Sequence, residues 1–156
     1  MKLFTWDEFD KSVDLIYENI KNWNLSGIYG IPRGGTCLSV ALSHKLELNV
    51  LDKPNNKALI VDDIYDTGKT LSTYSNIKGA RYYVIFSKKT PIWWNTVHMV
   101  KDKDWIVFPW ENKKNIIKDK LKYKKERGII WKKKKIHLAN AYGFSINKKT
   151  IIPKFV

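Results

Sequence analysis

Four residues, Ala58-Leu59-Ile60-Val61, form an unbroken apolar run that stops at two acids, Asp62-Asp63. A run this short, apolar at every position rather than every second one, reads as a buried strand of a parallel sheet covered by helices. The neighbouring text supports the same architecture. Gly27-Ile28-Tyr29-Gly30-Ile31 is a second short apolar run. It ends in Pro32-Arg33-Gly34-Gly35, after which helical spacing resumes from Thr36 to Leu46 through Cys37, Val40, Ala41 and Leu42. The 58–61 run likewise passes through a polar loop into a short helix from Leu71 to near Gly79. Tyr82-Tyr83-Val84-Ile85-Phe86 and Thr96-Val97-His98-Met99-Val100 are further strands, and Trp105-Ile106-Val107-Phe108 is a fifth candidate. Strands separated by helices predict an α/β fold with a central, mostly parallel sheet flanked by helices. At the start, Thr5-Trp6-Asp7-Glu8 reads as a capping box, and Trp6, Phe9, Val13, Ile16, Tyr17 and Ile20 then share one helix face as core.

Composition enters through its distribution. The net charge of +14 is uneven: residues 1–111 hold 14 Lys/Arg against 13 Asp/Glu, and residues 112–156 hold 15 against 2. We therefore expect a neutral domain over 1–111 and a basic Lys-rich extension over 112–156. A cationic extension attracts phosphates, so nucleic acid or another anionic partner is one expectation for it. The plainer reading is a codon bias, since 26 of the 29 basic residues are Lys, beside 18 Ile and 12 Asn. A single cysteine, Cys37, excludes an intramolecular disulfide and is most simply core. His44, His98 and His137 have no zinc-like spacing. No apolar run approaches a spanning length or a signal segment, which suits a cytoplasmic protein with no membrane span.

The chemistry concentrates in Val61-Asp62-Asp63-Ile64-Tyr65-Asp66-Thr67-Gly68-Lys69-Thr70-Leu71. Thr67, Gly68, Lys69 and Thr70 stand where a strand passes into a helix. Amides, two hydroxyls, a glycine and a cation thus converge on one point suited to phosphate. Asp62 and Asp63 leave the strand just before it, and carboxylates there suit ribose hydroxyls and a hydrated magnesium ion. The Gly-x-x-x-x-Gly-Lys spacing of a Walker loop is absent. Taken alone, Asp66-Thr67 is an ordinary helix cap and Arg33-Gly34-Gly35 an ordinary tight turn.

Taken together, the eleven residues closely resemble the phosphoribosyl diphosphate (PRPP) signature of the type I phosphoribosyltransferases. Thr5-Trp6-Asp7, Ile31-Pro32-Arg33-Gly34-Gly35, Phe86-Ser87-Lys88 and Asp104-Trp105-Ile106-Val107-Phe108-Pro109-Trp110-Glu111 look, in that order, like blocks of its xanthine-guanine branch. The resemblance covers roughly residues 4–111. It implies a type I phosphoribosyltransferase-like fold and transfer of the 5-phosphoribosyl group from PRPP to guanine, xanthine or hypoxanthine, giving the nucleoside monophosphate and pyrophosphate. Arg33 and Gly34 would bind pyrophosphate, and Asp62 and Asp63 the ribose, with Asp63 the ligand for Mg2+. Asp66 would exchange a proton with the purine. Thr67, Gly68, Lys69 and Thr70 would hold the 5'-phosphate. Lys88 would reach the purine's exocyclic oxygen, while Trp105 and Ile106 would stack on the base and offer it backbone carbonyls. Family members form homo-oligomers, which is the corresponding expectation for this chain.

One departure stands out. In the resembling family a long mobile loop with a Ser-Tyr pair lies between the first helix of the sheet and the PRPP strand. Here only Glu47-Leu48-Asn49-Val50-Leu51-Asp52-Lys53-Pro54-Asn55-Asn56-Lys57 joins them, so the lid region is shortened. The alternative to an enzyme is a non-catalytic PRPP- or nucleotide-binding regulator whose basic tail holds nucleic acid; a transferase for a different acceptor is a third reading.

Overall fold

The computed structural model describes residues 1–112, 114–126 and 128, and the backbone of residues 144–147 and 150–153. Contacts divide the chain into two units, Met1–Pro109 and Trp110–Val156.

In the first unit, β2 (Gly27–Gly30), β3 (Ala58–Tyr65), β4 (Arg81–Ser87) and β5 (Asn95–Met99) form a four-stranded sheet in that order, every neighbouring pair parallel. The helices are α1 (Trp6–Ile20), α2 (Gly34–Leu46) and α3 (Lys69–Ser72). The strands β1 (Lys2–Leu3) and β6 (Ile106–Val107) pair in parallel as a separate two-stranded sheet. The Trp105–Phe108 segment therefore pairs with the chain's first residues rather than adding a fifth strand to the main sheet. Nothing in the local spacing announces a partner about a hundred residues away.

The α1 start follows from its capping box. Thr5 Oγ1 accepts from the Glu8 amide at 3.2 Å and the Thr5 amide donates to Glu8 Oε2 at 2.8 Å, satisfying two amides that the first turn leaves without helical partners. Phe9, Val13, Ile16 and Ile20 are buried as their spacing predicts, whereas Trp6 is 53% exposed and packs edge-on against Phe9. The helix α2 is turned from its predicted face: it buries Gly35, Leu38, Ser39 and Leu42, with Cys37 half-buried and Val40 exposed. The reason is close approach. A side chain at Gly35 would collide with the Val61 carbonyl oxygen, and one at Gly30 would collide with Gly35 and Ser39, so the glycines let α2 lie directly on β2 and β3.

Ala58 and Ile60 alternate with Leu59 and Val61 along β3. They join a buried cluster with Ile31, Leu71, Tyr82, Val84 and Trp94. A second aromatic group forms around Phe86, whose ring meets Phe4 at 4.9 Å and Phe108 at 5.9 Å, both edge-on. These contacts tie the small β1–β6 sheet to β4. Edge-to-face pairs of this kind add about 0.5–1.5 kcal/mol each beyond area burial.

In the second unit, α4 (Ile116–Glu126) is an amphipathic basic helix with no fully buried residue, and β7 (Phe144–Asn147) pairs antiparallel with β8 (Thr150–Pro153). Among the described residues no helix is long and apolar enough to cross a membrane.

Candidate functional site

Parallel strands deliver their loops to one sheet edge, and ligands of such folds gather at the carboxyl ends of the strands. Because β2, β3 and β4 are neighbours, residues 31–35, 66–70 and 88–90 emerge side by side.

The strand β3 runs four residues beyond the apolar stretch, through Asp62, Asp63, Ile64 and Tyr65. The acids thus lie within the ladder, where Asp62 pairs in register with Val84. Asp62 is 9% exposed, and its Oδ1 accepts from the Asp63 amide at 2.9 Å. Burial, with the charge of Asp63 beside it, pushes its carboxyl up to about 8, while hydrogen bonds from the Asp63 and Gly35 amides work the other way. Asp63 is half-exposed, and its carboxylate rests on Gly34, where a side chain would overlap Asp63 Oδ2. The Arg33-Gly34-Gly35 loop and Asp63 are therefore in direct contact. Arg33 is exposed at the start of α2, after a cis Pro32–Arg33 peptide bond, and the Ile31 amide donates to the Val61 carbonyl at 2.9 Å.

The cradle follows. Gly68 takes φ +82°, a conformation that suits glycine, and starts α3. Thr67, Lys69 and Thr70 are exposed around it, and Thr67 Oγ1 accepts from the Lys69 amide at 3.4 Å. The helix behind it is one turn of four residues, not the run to Gly79 that the sequence predicts. Residues 73–80 form tight turns instead, through bonds such as Tyr74 N–H to the Leu71 carbonyl and Ala80 N–H to the Ile77 carbonyl. A helix this short contributes little macrodipole, so an anion at this loop would be held by the loop amides and side chains instead.

At the other end of the site, Lys88 Nζ lies 3.4 Å from Asp66 Oδ1; the side chains are 3% and 26% exposed, respectively. The Lys88 amide donates to the Tyr65 carbonyl at 2.9 Å, which holds the end of β4 to the end of β3. Trp105 is half-buried and Ile106 buried, and the β1–β6 sheet places them beside β4 through Phe108 and Phe86. The Trp105 carbonyl accepts from the Lys2 amide at 2.8 Å, which uses one of its two lone pairs and fixes its direction in the strand pair. Cys37 lies near Asp63; burial first, then that charge, raises its thiol above the ordinary cysteine value.

Residues 47–57 lie along the free edge of β2. The Ile28 amide donates to the Asn49 carbonyl at 2.9 Å, the Leu51 amide to the Ile28 carbonyl at 2.8 Å, and Val50 bridges Ile28 in parallel. This segment is bound to the sheet as a short extra strand, so it does not reach over the loops at the carboxyl ends.

Among the described residues no group of three or more His, Cys, Asp or Glu could hold a metal by itself. Magnesium does not need one, since it keeps several waters and takes substrate oxygens alongside one or two carboxylates. The half-exposed Asp63 fits that demand, and Asp62, buried and bonded to amides, is placed to orient its neighbour.

A parallel sheet with an acidic strand end, a Thr-Gly-Lys-Thr loop and a facing Arg-Gly-Gly loop is the architecture of the type I phosphoribosyltransferases, and the chain has that fold. No family model matches the chain. By sequence it is similar to the xanthine-guanine phosphoribosyltransferase of Desulfotalea psychrophila, 24% identical in an alignment 134 positions long that covers 69% of this chain and 84% of the relative. By structure it is similar to a purine phosphoribosyltransferase of Pyrococcus horikoshii, with TM-score 0.61, 26% identity and coverage of 71% and 93% of the two chains. It shares the fold of the Helicobacter pylori xanthine-guanine-hypoxanthine phosphoribosyltransferase, with TM-score 0.58, 18% identity and coverage of 76% and 98%.

Sequence reasoning passed over Tyr65 and Trp94. Their rings stack at a centroid distance of 3.8 Å and an interplanar angle of 11°. Two cues were available: Tyr65 lies three residues before Gly68, and Trp93-Trp94 is an aromatic pair in a loop.

Proposed function

We propose that the chain transfers the 5-phosphoribosyl group of PRPP to a 6-oxopurine base, guanine, xanthine or hypoxanthine, releasing pyrophosphate. The observation that carries this reading is the Asp66–Lys88 pair, a carboxylate and a nearly buried ammonium 3.4 Å apart, at the end of the strand that leads into the phosphate cradle. Lys88 donates to the exocyclic oxygen of the base. Asp66 takes the proton that the purine nitrogen loses as it bonds to the anomeric carbon, a task that needs reach and orientation more than an extreme pKa. Thr67, Gly68, Lys69 and Thr70 hold the 5'-phosphate, and Asp63 lies between ribose and pyrophosphate. Arg33 and the amides after Gly34 stabilise the charge on the departing pyrophosphate. Asp63 would hold the magnesium ion, which supplies neutralisation of pyrophosphate charge when bound. Fixing both reactants replaces a covalent nucleophile, since orientation lowers the barrier to displacement.

The test is nucleotide formation from PRPP and each base separately, with magnesium. Product with at least one 6-oxopurine, lost in Asp66→Asn, supports the reading. PRPP binding without product from any of the three would sink it.

A second reading, a PRPP-binding regulator that holds nucleic acid through residues 112–156, is favoured by one observation. On α4, Lys118, Lys122 and Lys125 are exposed at spacings that put them on one face. It predicts RNA binding that weakens with salt, with a log-log slope of about −0.7 per phosphate neutralised on single strands. A salt-independent interaction, or none, would count against it.

A further inference from the structure

The loop after β4 carries Trp93-Trp94, which the proposed reaction does not use. Trp94 is buried and stacks face to face on Tyr65, and Trp93 meets the same Tyr65 ring edge-on at 6.4 Å. The ring of Tyr65 turns back toward the cradle: a Cβ built at Gly68 would strike the Tyr65 hydroxyl and lie 2.6 Å from its Cζ. That hydroxyl therefore bears on the glycine of the phosphate loop. On its other side the stack reaches Lys88 through Ser87. Trp94 Nε1 donates to Ser87 Oγ at 3.3 Å, and Ser87 Oγ donates to the Lys89 carbonyl at 2.6 Å and accepts from the Lys89 amide at 3.3 Å. A hydroxyl has one proton and two lone pairs, so all of its bonding capacity is used in fixing the residues on either side of Lys88. The Tyr65 carbonyl closes the circuit by accepting from the Lys88 amide at 2.9 Å.

We propose that the Tyr65–Trp94 stack is a positioning device that sets the height of Gly68 under the 5'-phosphate and, through Ser87, the orientation of Lys88 toward the nucleobase. The inference rests on the transferase reading of this site and deepens it: Tyr65 and Trp94 are positioning residues, and the two substrate ends are coupled through them. Stacked rings suit this role because two large flat side chains with few rotatable bonds hold their geometry, and displacements near 1 Å at such a site are costly to catalysis.

The experiment compares wild type, Tyr65→Phe, Tyr65→Leu and Ser87→Ala by calorimetric binding of PRPP with magnesium and by KM and kcat for both substrates, each variant first melted to confirm a folded state. Tyr65→Phe keeps the stack but loses the hydroxyl that bears on Gly68, and should weaken PRPP binding by about threefold, less than Tyr65→Leu does. Tyr65→Leu should bind it about tenfold more weakly and raise both KM values. Ser87→Ala, a change of one oxygen atom, should raise the purine KM severalfold while leaving PRPP binding unchanged; it carries the test if Tyr65→Leu does not fold. A residue that only stabilises the fold would lower the melting temperature and leave the KM values of the folded protein alone. That pattern, or wild-type PRPP affinity in Tyr65→Leu, would overturn the inference while leaving the transferase reading intact. A wild-type chain that binds no PRPP would overturn both.

Discussion

Adjacent glycines at the start of α2 give opposite predictions when each is changed to alanine. At Gly35 the added methyl meets backbone: it collides with the Val61 carbonyl oxygen and lies 3.1 Å from both the Val61 carbonyl carbon and the Asp62 Cα. Strand β3 is central in its sheet, so it cannot give way, and α2 must retreat by roughly 1 Å. Overpacking costs about 1–3 kcal/mol, and because the struck atom is backbone that cannot swing away the cost falls at the upper end, about 2–3 kcal/mol, partly offset by alanine's helix preference of about 1 kcal/mol over glycine. The net loss of about 1–2 kcal/mol corresponds to a melting temperature lower by about 5–15 °C for a unit of this size. At Gly34 the three atoms nearest the methyl all belong to the Asp63 carboxylate, the end of a movable side chain. Gly34→Ala should melt within about 2 °C of wild type while displacing the carboxylate proposed for ribose and magnesium, with a loss of about tenfold or more in kcat/KM. The assay is a thermal melt beside steady-state kinetics on both variants. A Gly35→Ala protein as stable as wild type would refute the packing argument, and a fully active Gly34→Ala protein would refute the placement of Asp63 in the site.

Lys88→Met should lower kcat/KM by about 10²-fold, mainly through the purine KM, because it removes the donor to the base and the cation 3.4 Å from Asp66; wild-type kinetics in this variant would exclude Lys88 from the site. Chelation with EDTA should stop turnover, and added magnesium should restore it. Thr5→Ala should cost about 1 kcal/mol, read as a lower denaturation midpoint, since it removes the side-chain half of the α1 capping box. His98, 3.1 Å from Ser12 Oγ, has its pKa lowered by burial first and then by Lys2, against a smaller opposing effect of Glu8. The unfolded chain therefore binds a proton first as pH falls. The contribution of neutral His98 is complete above the unfolded value of 6.5 and is lost as pH drops from there through the lower folded value. His98→Gln should flatten the fall in melting temperature between pH 7 and pH 5, and an unchanged slope would refute this.

What could be read from the residues alone followed the range of the forces involved. The α1 cap and its buried stripe are local, and Thr5, Glu8, Phe9, Val13, Ile16 and Ile20 stand as their spacing requires. The two strand–loop–helix units and the gathering of Arg33, Asp63, Asp66 and Gly68 at one sheet edge also follow from order along the chain, once the sheet is parallel. Periodicity failed where a neighbour decided the outcome. The face of α2 is set by Gly30 and Gly35 against the sheet rather than by its own weak apolar pattern. β3 continues through Asp62 and Asp63 because β4 offers ladder partners there. The β1–β6 pairing and the Tyr65–Trp94 stack are contacts between distant residues, and no local spacing encodes them. The shortened 47–57 connection was legible as a length, while its hydrogen bonding to the edge of β2 was not.

The central claim is that this strand-end site joins a purine to the ribosyl group of PRPP. It is tested most directly by following the phosphorus resonances of PRPP with magnesium and the chain, with and without guanine, xanthine or hypoxanthine. The account predicts that pyrophosphate appears only when a base is present, in equal amount with nucleoside monophosphate, and that neither forms with Asp66→Asn. Pyrophosphate released at the same rate without a base, as ribose 5-phosphate accumulates, or PRPP that stays intact with every base, would contradict it.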